Sequence, residues 1–144
     1  MPAPKFRKMP ARRNDFFGDG IPSIAIIGAS ANRDKFGNKC VRAYLTLGWK
    51  VYPINPKEPS IEGLDCHASI SELAEKPDRV SIYLPPNVTE SIIPDLLEAG
   101  ISEVILNPGA ESDELVKSLR DNGINPKLVC SIRMMGLKPE DFPA

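Results

Sequence analysis

From Ile21 onward, short apolar runs alternate with segments whose apolar residues return every three or four positions. The runs Ile24–Ile27, Lys50–Ile54, Val80–Leu84, Val104–Leu106 and Leu128–Cys130 are bounded by Gly, Pro or Asn, the pattern of buried strands. Between them, Val41, Tyr44 and Leu45 share a helical face before Gly48. Val88, Ile92 and Leu96 share another before Gly100, and Leu115, Val116 and Leu119 a third before Gly123. Each of these glycines stands where a helix end takes a left-handed residue. The link between the second and third strands carries only a short helical pattern in "SISELAEKP", placed at Ser71 to Glu75 ahead of Pro77. This alternation predicts right-handed crossovers and a doubly wound α/β sheet of five parallel strands, ordered 3-2-1-4-5, with helices on both faces. Ile24–Ile27, the most continuously apolar run, is expected at the centre with Gly28 at its carboxyl end.

A Rossmann-like sheet binds ligands at the carboxyl ends of its strands, beside the point where strand order reverses. That rule selects "GASANRDKFGNK" after the first strand, "NPKEP" after the second, "PPN" after the third and "NPGAES" after the fourth. Each loop taken alone has a structural explanation as a turn or strand stop; their convergence on one side of the sheet favours a binding site. A dinucleotide fingerprint would place glycines at 28, 30 and 33 and an acid after the second strand. Only Gly28 fits: residue 30 is serine, residue 33 is arginine, and the second strand ends in Asn55-Pro56-Lys57. Lys57 offers a cation where a ribose diol would want a carboxylate, which suits a phosphate near the ribose, as in coenzyme A or NADP.

Composition narrows the classes. The 144 residues are 42% hydrophobic with a formal net charge of -1, enough for one compact core and without a general attraction to nucleic acid or membrane. No apolar run approaches the roughly 20 residues of a membrane span, and the chain reads as cytoplasmic. Residues 1–20 form a basic, proline-broken arm ahead of a domain at 21–144. Pro4 and Pro10 argue against the amphipathic helix of a mitochondrial presequence, the second reading of that arm. Cys40, Cys66, Cys130 and the lone His67 support neither a disulfide framework nor a metal site.

The segments "IAIIGASANRDKFGNKCVRAYLTLGWKVYPINPK", "SIYLPPN" and "NPGAESDELVKSLRDNGI" together resemble the stand-alone CoA-binding domain family, small Rossmann-like proteins similar to the CoA-binding domain of the succinyl-CoA synthetase alpha subunit. The resemblance runs from about Ile24 to Gly136. It implies coenzyme A or an acyl-CoA as the ligand, with the nucleotide phosphates against Gly28, Ala29 and Ser30. Arg33, Lys35 and Phe36 lie in the same loop, the first two as cationic contacts. Asn55, Pro56 and Lys57 would meet the adenosine side, Lys57 favouring the 3′-phosphate. Leu84, Pro85 and Pro86 would wall the adenine or pantetheine, and Asn107, Pro108 and Gly109 would flank the pantetheine arm.

The synthetase's second domain and partner subunit have no counterpart here, and His67 in "LDCHASI" lies off the ligand loops. No nucleophile elbow or P-loop is present, no histidine stands to pair with a cysteine at the sheet edge, and Ser30 has no base near it in sequence. Cys130, expected to close the fifth strand, is the one thiol placed to meet a ligand; a buried inert thiol is the plainer reading. The expected function is non-catalytic CoA binding as carrier, sensor or regulator, by a monomer or homodimer. An NAD(P)-binding protein or small oxidoreductase is the alternative, and a ligand-free interaction protein stands behind both.

Overall fold

The computed structural model of the protein describes residues 20–144; the basic arm apart from Gly20 lies outside the described residues. Chain order is β1 (Ser23–Ile27), α1 (Phe36–Thr46), β2 (Lys50–Ile54), a small hairpin of β3 (Ser60–Ile61) and β4 (Leu64–Asp65), then β5 (Arg79–Ile82). There follow α2 (Pro86–Ser91), α3 (Ile93–Glu98), β6 (Glu103–Leu106), α4 (Asp113–Asp121) and β7 (Asn125–Leu128).

β2, β1, β5, β6 and β7 lie side by side in that order, all parallel. The expected α/β sheet and its reversal of strand order at β1 are present. What differs is the segment that fills the outer place. In the 3-2-1-4-5 order, the strand around Val80 was to lie outside β2; it lies instead on the other side of β1. The place outside β2 is taken by a one-residue parallel bridge between Ile54 and His67. His67 N–H donates to the Pro53 carbonyl at 3.0 Å and Asn55 N–H to the His67 carbonyl at 2.8 Å, so β2 is already paired there before the chain reaches Val80. Counting that bridge as a third strand gives the order 3-2-1-4-5-6, which keeps the expected 3-2-1-4-5 pattern over its first five places and adds β7 at the far edge. β1 is flanked by β2 and β5, and all five of its residues are buried.

Two layers cover the sheet. On one face, Ile93 and Leu96 of α3 and Leu115 and Leu119 of α4 pack with Val80, Ile82, Val104 and Leu106. On the other, Cys40, Val41 and Tyr44 of α1 pack with Ile24, Ile26 and Val51. This second layer has α1 as its long helix, and residues 131–142 complete it. Ile132 is fully buried there, and the Tyr44 hydroxyl donates to the Ser131 carbonyl at 2.7 Å.

The helix ends follow the sequence. Gly48, Gly100 and Gly123 all close their helices with positive φ. Ser112 caps α4, its hydroxyl accepting the Leu115 N–H at 3.0 Å, with Asp113 and Glu114 in the first turn. The helix expected from Val88 to Leu96 is two helices. Pro94 cannot donate to the Glu90 carbonyl and its ring crowds that turn, so the chain breaks at Ile92. The turn expected at Ser71–Glu75 is a single 3-10 turn at Ile70–Glu72. The last strand also moves: β7 is Asn125–Leu128, in register with β6 through Val104 opposite Pro126. Of the apolar run Leu128–Cys130, only Leu128 belongs to the sheet, closing β7 opposite Leu106, and Leu128 and Val129 are both exposed.

Candidate functional site

At the carboxyl ends of β1, β2 and β5 the three strands remain tied by backbone bonds. Gly28 N–H donates to the Ile54 carbonyl at 3.1 Å and Tyr83 N–H to the Ile27 carbonyl at 2.8 Å. This closeness dictates Gly28. Its φ is +89°, and a Cβ there would lie 2.4 Å from the Tyr83 carbonyl oxygen. A second glycine, Gly37, has a different reason: a Cβ on it would stand 2.5 Å from the Gly28 carbonyl oxygen. The first turn of α1 therefore rests directly on the backbone of the turn. This is the helix-to-strand contact that the last glycine of a dinucleotide fingerprint makes, here reached nine positions after Gly28 instead of five.

Side-chain amides fix the turn from two sides. Asn55 Nδ2 donates to the Ala29 carbonyl at 2.8 Å, and buried Asn38 Nδ2 donates to the Ser30 carbonyl at 2.9 Å. The N–H groups of Ser30 and Ala31 take no partner among the described residues, leaving two consecutive donors for an anion. Beyond them the Ser30 hydroxyl accepts the Asn32 N–H and Asn32 Oδ1 accepts the Asp34 N–H, both at 3.0 Å. The excursion absent from a short fingerprint loop is thus a pair of side-chain-locked turns.

A carboxylate stands beside this loop. Glu62, at the tip of the β3–β4 hairpin with φ +51°, accepts from Asn38 Nδ2 at 3.0 Å and from Arg33 Nε at 3.3 Å. The Asn38 hydrogen bond, helped by the Arg33 charge, holds the Glu62 carboxyl below its ordinary value of 4.5. A carboxylate depressed on folding contributes stability that is complete above that ordinary value and lost as pH falls through the folded one. Glu62→Gln is therefore expected to flatten the loss of thermal stability as pH falls below 4.5. Melting curves that fall in parallel for the two proteins would remove Glu62 from that role.

The turn opens onto a cleft of about 350 Å³ between β1, β2 and the α2–α3 pair. Of the residues expected at the site, Gly28, Asn55, Pro56, Lys57 and Leu84 line it. Ala29 is buried beneath the turn, and Ser30 sits on it. Arg33 is paired with Glu62. Lys35 is the N-cap of α1 and Phe36 its exposed first residue. Pro85 and Pro86 start α2, where a missing N–H costs nothing. Pro108 and Gly109 are exposed beyond β6. Asn107 is not among the residues lining this cleft. It is 1% exposed, with Nδ2 donating to Ser81 Oγ and the Ile82 carbonyl and Oδ1 accepting the Ser131 N–H.

Sequence reading missed Ser69, Ile70, Val88, Ile92 and Asp95, which also line the cleft. Val88 and Ile92 carried the helical apolar period, but a period cannot separate a face turned to the core from one turned to a cleft. Cys130 lies past the end of β7, its Sγ accepting from Arg133 N–H at 3.5 Å, and is not among the cleft residues. Burial pushes the Cys40 thiol up to about 12, so it stays protonated. His67 turns its ring edge-on toward Tyr52, 6.3 Å between centroids. A larger groove of about 470 Å³ lies at the amino ends of β5 and β6, lined by charges of both signs and away from the switch point.

Residues 22–133 match the family model described as a CoA binding domain, and so span this whole site. The chain belongs to the CoA-binding domain family. This CoA-binding domain is 30% identical over 84 residues to the ADP-forming acetate-CoA ligase of Methanocaldococcus jannaschii, covering 58% of the chain and 12% of the ligase. It spans less than a fifth of the curated relatives it matches. Among solved structures, a conserved hypothetical protein from Pyrococcus furiosus superposes with a TM-score of 0.69 at 34% identity, covering 74% of this chain and 92% of that one. The dinucleotide forming acetyl-coenzyme A synthetase 1 of Ca. Korarchaeum cryptofilum, in complex with phosphate and ADP, gives 0.63 at 31% identity, covering 72% of this chain and 25% of that one.

Proposed function

We propose that residues 21–144 bind coenzyme A or an acyl-CoA at the Gly28 turn and its cleft, as a non-catalytic carrier, sensor or regulator. The supporting observation is the joining of a family match over 22–133 to a cleft that has apolar walls and one cation, Lys57, beside the turn. The N–H groups of Ser30 and Ala31, without a partner among the described residues, suit the diphosphate, and Lys57, in the loop after β2, suits the 3′-phosphate. Arg33 joins that set only by leaving Glu62. The ADP-forming ligases are far longer chains, and their activity is not transferred. Among the described residues no group of three metal-ligating side chains converges, and no helix is long and apolar enough to cross a membrane.

Calorimetric titration tests the reading. CoA is expected to bind more tightly than dephospho-CoA by about five- to thirtyfold, and Lys57→Ala to erase most of that difference. Equal affinity of the unaltered protein for both ligands would refute the role of Lys57. Tighter binding of NADPH than of CoA would move the protein to the NAD(P) class. Incubation with acetyl-CoA should release no thiol above background; release that vanished in Cys130→Ser would make the protein an enzyme.

A further inference from the structure

The cleft contains an acid that a binder of phosphates alone would not want. Asp95, on α3, lines the same space as Lys57, and the Ser69 hydroxyl donates to its Oδ2 at a long 3.5 Å. Ile70, Leu84, Val88 and Ile92 supply the walls between and around them. An apolar slot with a carboxylate on one wall and an ammonium at its rim repels a bare polyanion. It accepts a flat apolar group that has a hydrogen-bond donor on its edge and an anion on its tether.

We infer that Asp95 reads the exocyclic amine of an adenine base seated between Leu84, Val88 and Ile92, making it the residue that selects an aminopurine. This rests on the CoA reading above and adds to it the group that recognises the base. A carboxylate accepts from an amine N–H and offers nothing to a carbonyl edge, so the choice is between an amino and an oxo or blocked purine. Ser69 steadies the carboxylate from the opposite element, the turn before β5.

The test uses the full chain, CoA and 1,N6-etheno-CoA, in which the amine is tied into a ring and has no hydrogen to donate. The unaltered protein is expected to bind CoA about tenfold more tightly than etheno-CoA. Asp95→Ala should weaken CoA to the level of etheno-CoA and leave etheno-CoA within about twofold of its original affinity. Asp95→Asn, which keeps an acceptor oxygen without the charge, should fall between. Equal affinities in the unaltered protein overturn the role of Asp95 while leaving CoA binding intact. A preference for CoA that survives Asp95→Ala is steric and overturns it too. Absence of CoA binding to the unaltered chain removes the CoA reading and this one with it. Melting curves of the variants confirm that each is folded.

Discussion

Gly28→Ala is expected to be the most damaging single methyl group that can be added to this site. Two independent costs meet at one atom: φ of +89° is foreign to an L side chain, and the new Cβ would lie 2.4 Å from the Tyr83 carbonyl oxygen. Neither partner can yield cheaply. Tyr83 N–H is bonded to the Ile27 carbonyl and Gly28 N–H to the Ile54 carbonyl, so any retreat opens the β5–β1–β2 junction. A loss of about 3 kcal/mol or more follows, which for a chain of this size lowers Tm by roughly 10 °C. CoA binding should vanish with it. A melting temperature within about 2 °C of the parent would show that the junction is softer than its hydrogen bonds imply.

The second large effect is expected at Asn107. Its side chain joins β5 to the residues beyond β7: Nδ2 donates to Ser81 Oγ at 2.8 Å and the Ile82 carbonyl at 2.9 Å, and Oδ1 accepts the Ser131 N–H at 2.8 Å. Ser81 and Ser131 also share a 2.6 Å hydroxyl contact, and all three residues are buried. Asn107→Ala strips the buried Ser131 N–H of its acceptor and takes one donor each from Ser81 Oγ and the Ile82 carbonyl, for a loss of about 2–4 kcal/mol by urea denaturation. Asn107→Asp should cost more, because it turns an acceptor toward the Ile82 carbonyl. A pantetheine contact would behave in the opposite way, with affinity falling and stability unchanged. If Asn107→Ala unfolded at the parent's urea midpoint, the buried network would be refuted as a stabilising element.

Asn107 also shows what a sequence cannot separate. Asn-Pro-Gly after a strand marks a turn at the ligand side of the sheet, and the turn is there. Whether the asparagine faces the ligand or the core depends on Ser81 and Ser131, residues distant in the chain whose serine identity carries no such signal. β1 was legible because burial on both faces demands a near-continuous apolar run, and β2, β5 and β6 because each ends in a short stretch of mostly buried, mostly apolar residues. β7 was misplaced because its pairing with β6 runs through Pro126 and Lys127, a choice made by register and not by apolar content. The short link after β2 hid the most. A hairpin tip that brings Glu62 to Asn38 and Arg33 has no local pattern beyond Glu62-Gly63, and the bridge at His67 is a single residue. Lys57 and Gly28 could be placed at the cleft because their signals are local: a cation directly after the second strand, and a strand stop that only glycine satisfies.

The bridge at His67 has a further consequence for how the molecule meets other copies of itself. A parallel sheet has two flanks from which a foreign strand could extend it, and unguarded flanks seed aggregation. At β2, the N–H of Asn55 and the carbonyl of Pro53 are already engaged with His67, which denies that flank its upper rungs. At β7, the flank carries Pro126, which has no N–H to give, beside exposed Lys127, whose ammonium would have to be desolvated by an incoming strand. The two flanks are guarded by different means, one by a borrowed rung and one by an imino acid and a charge.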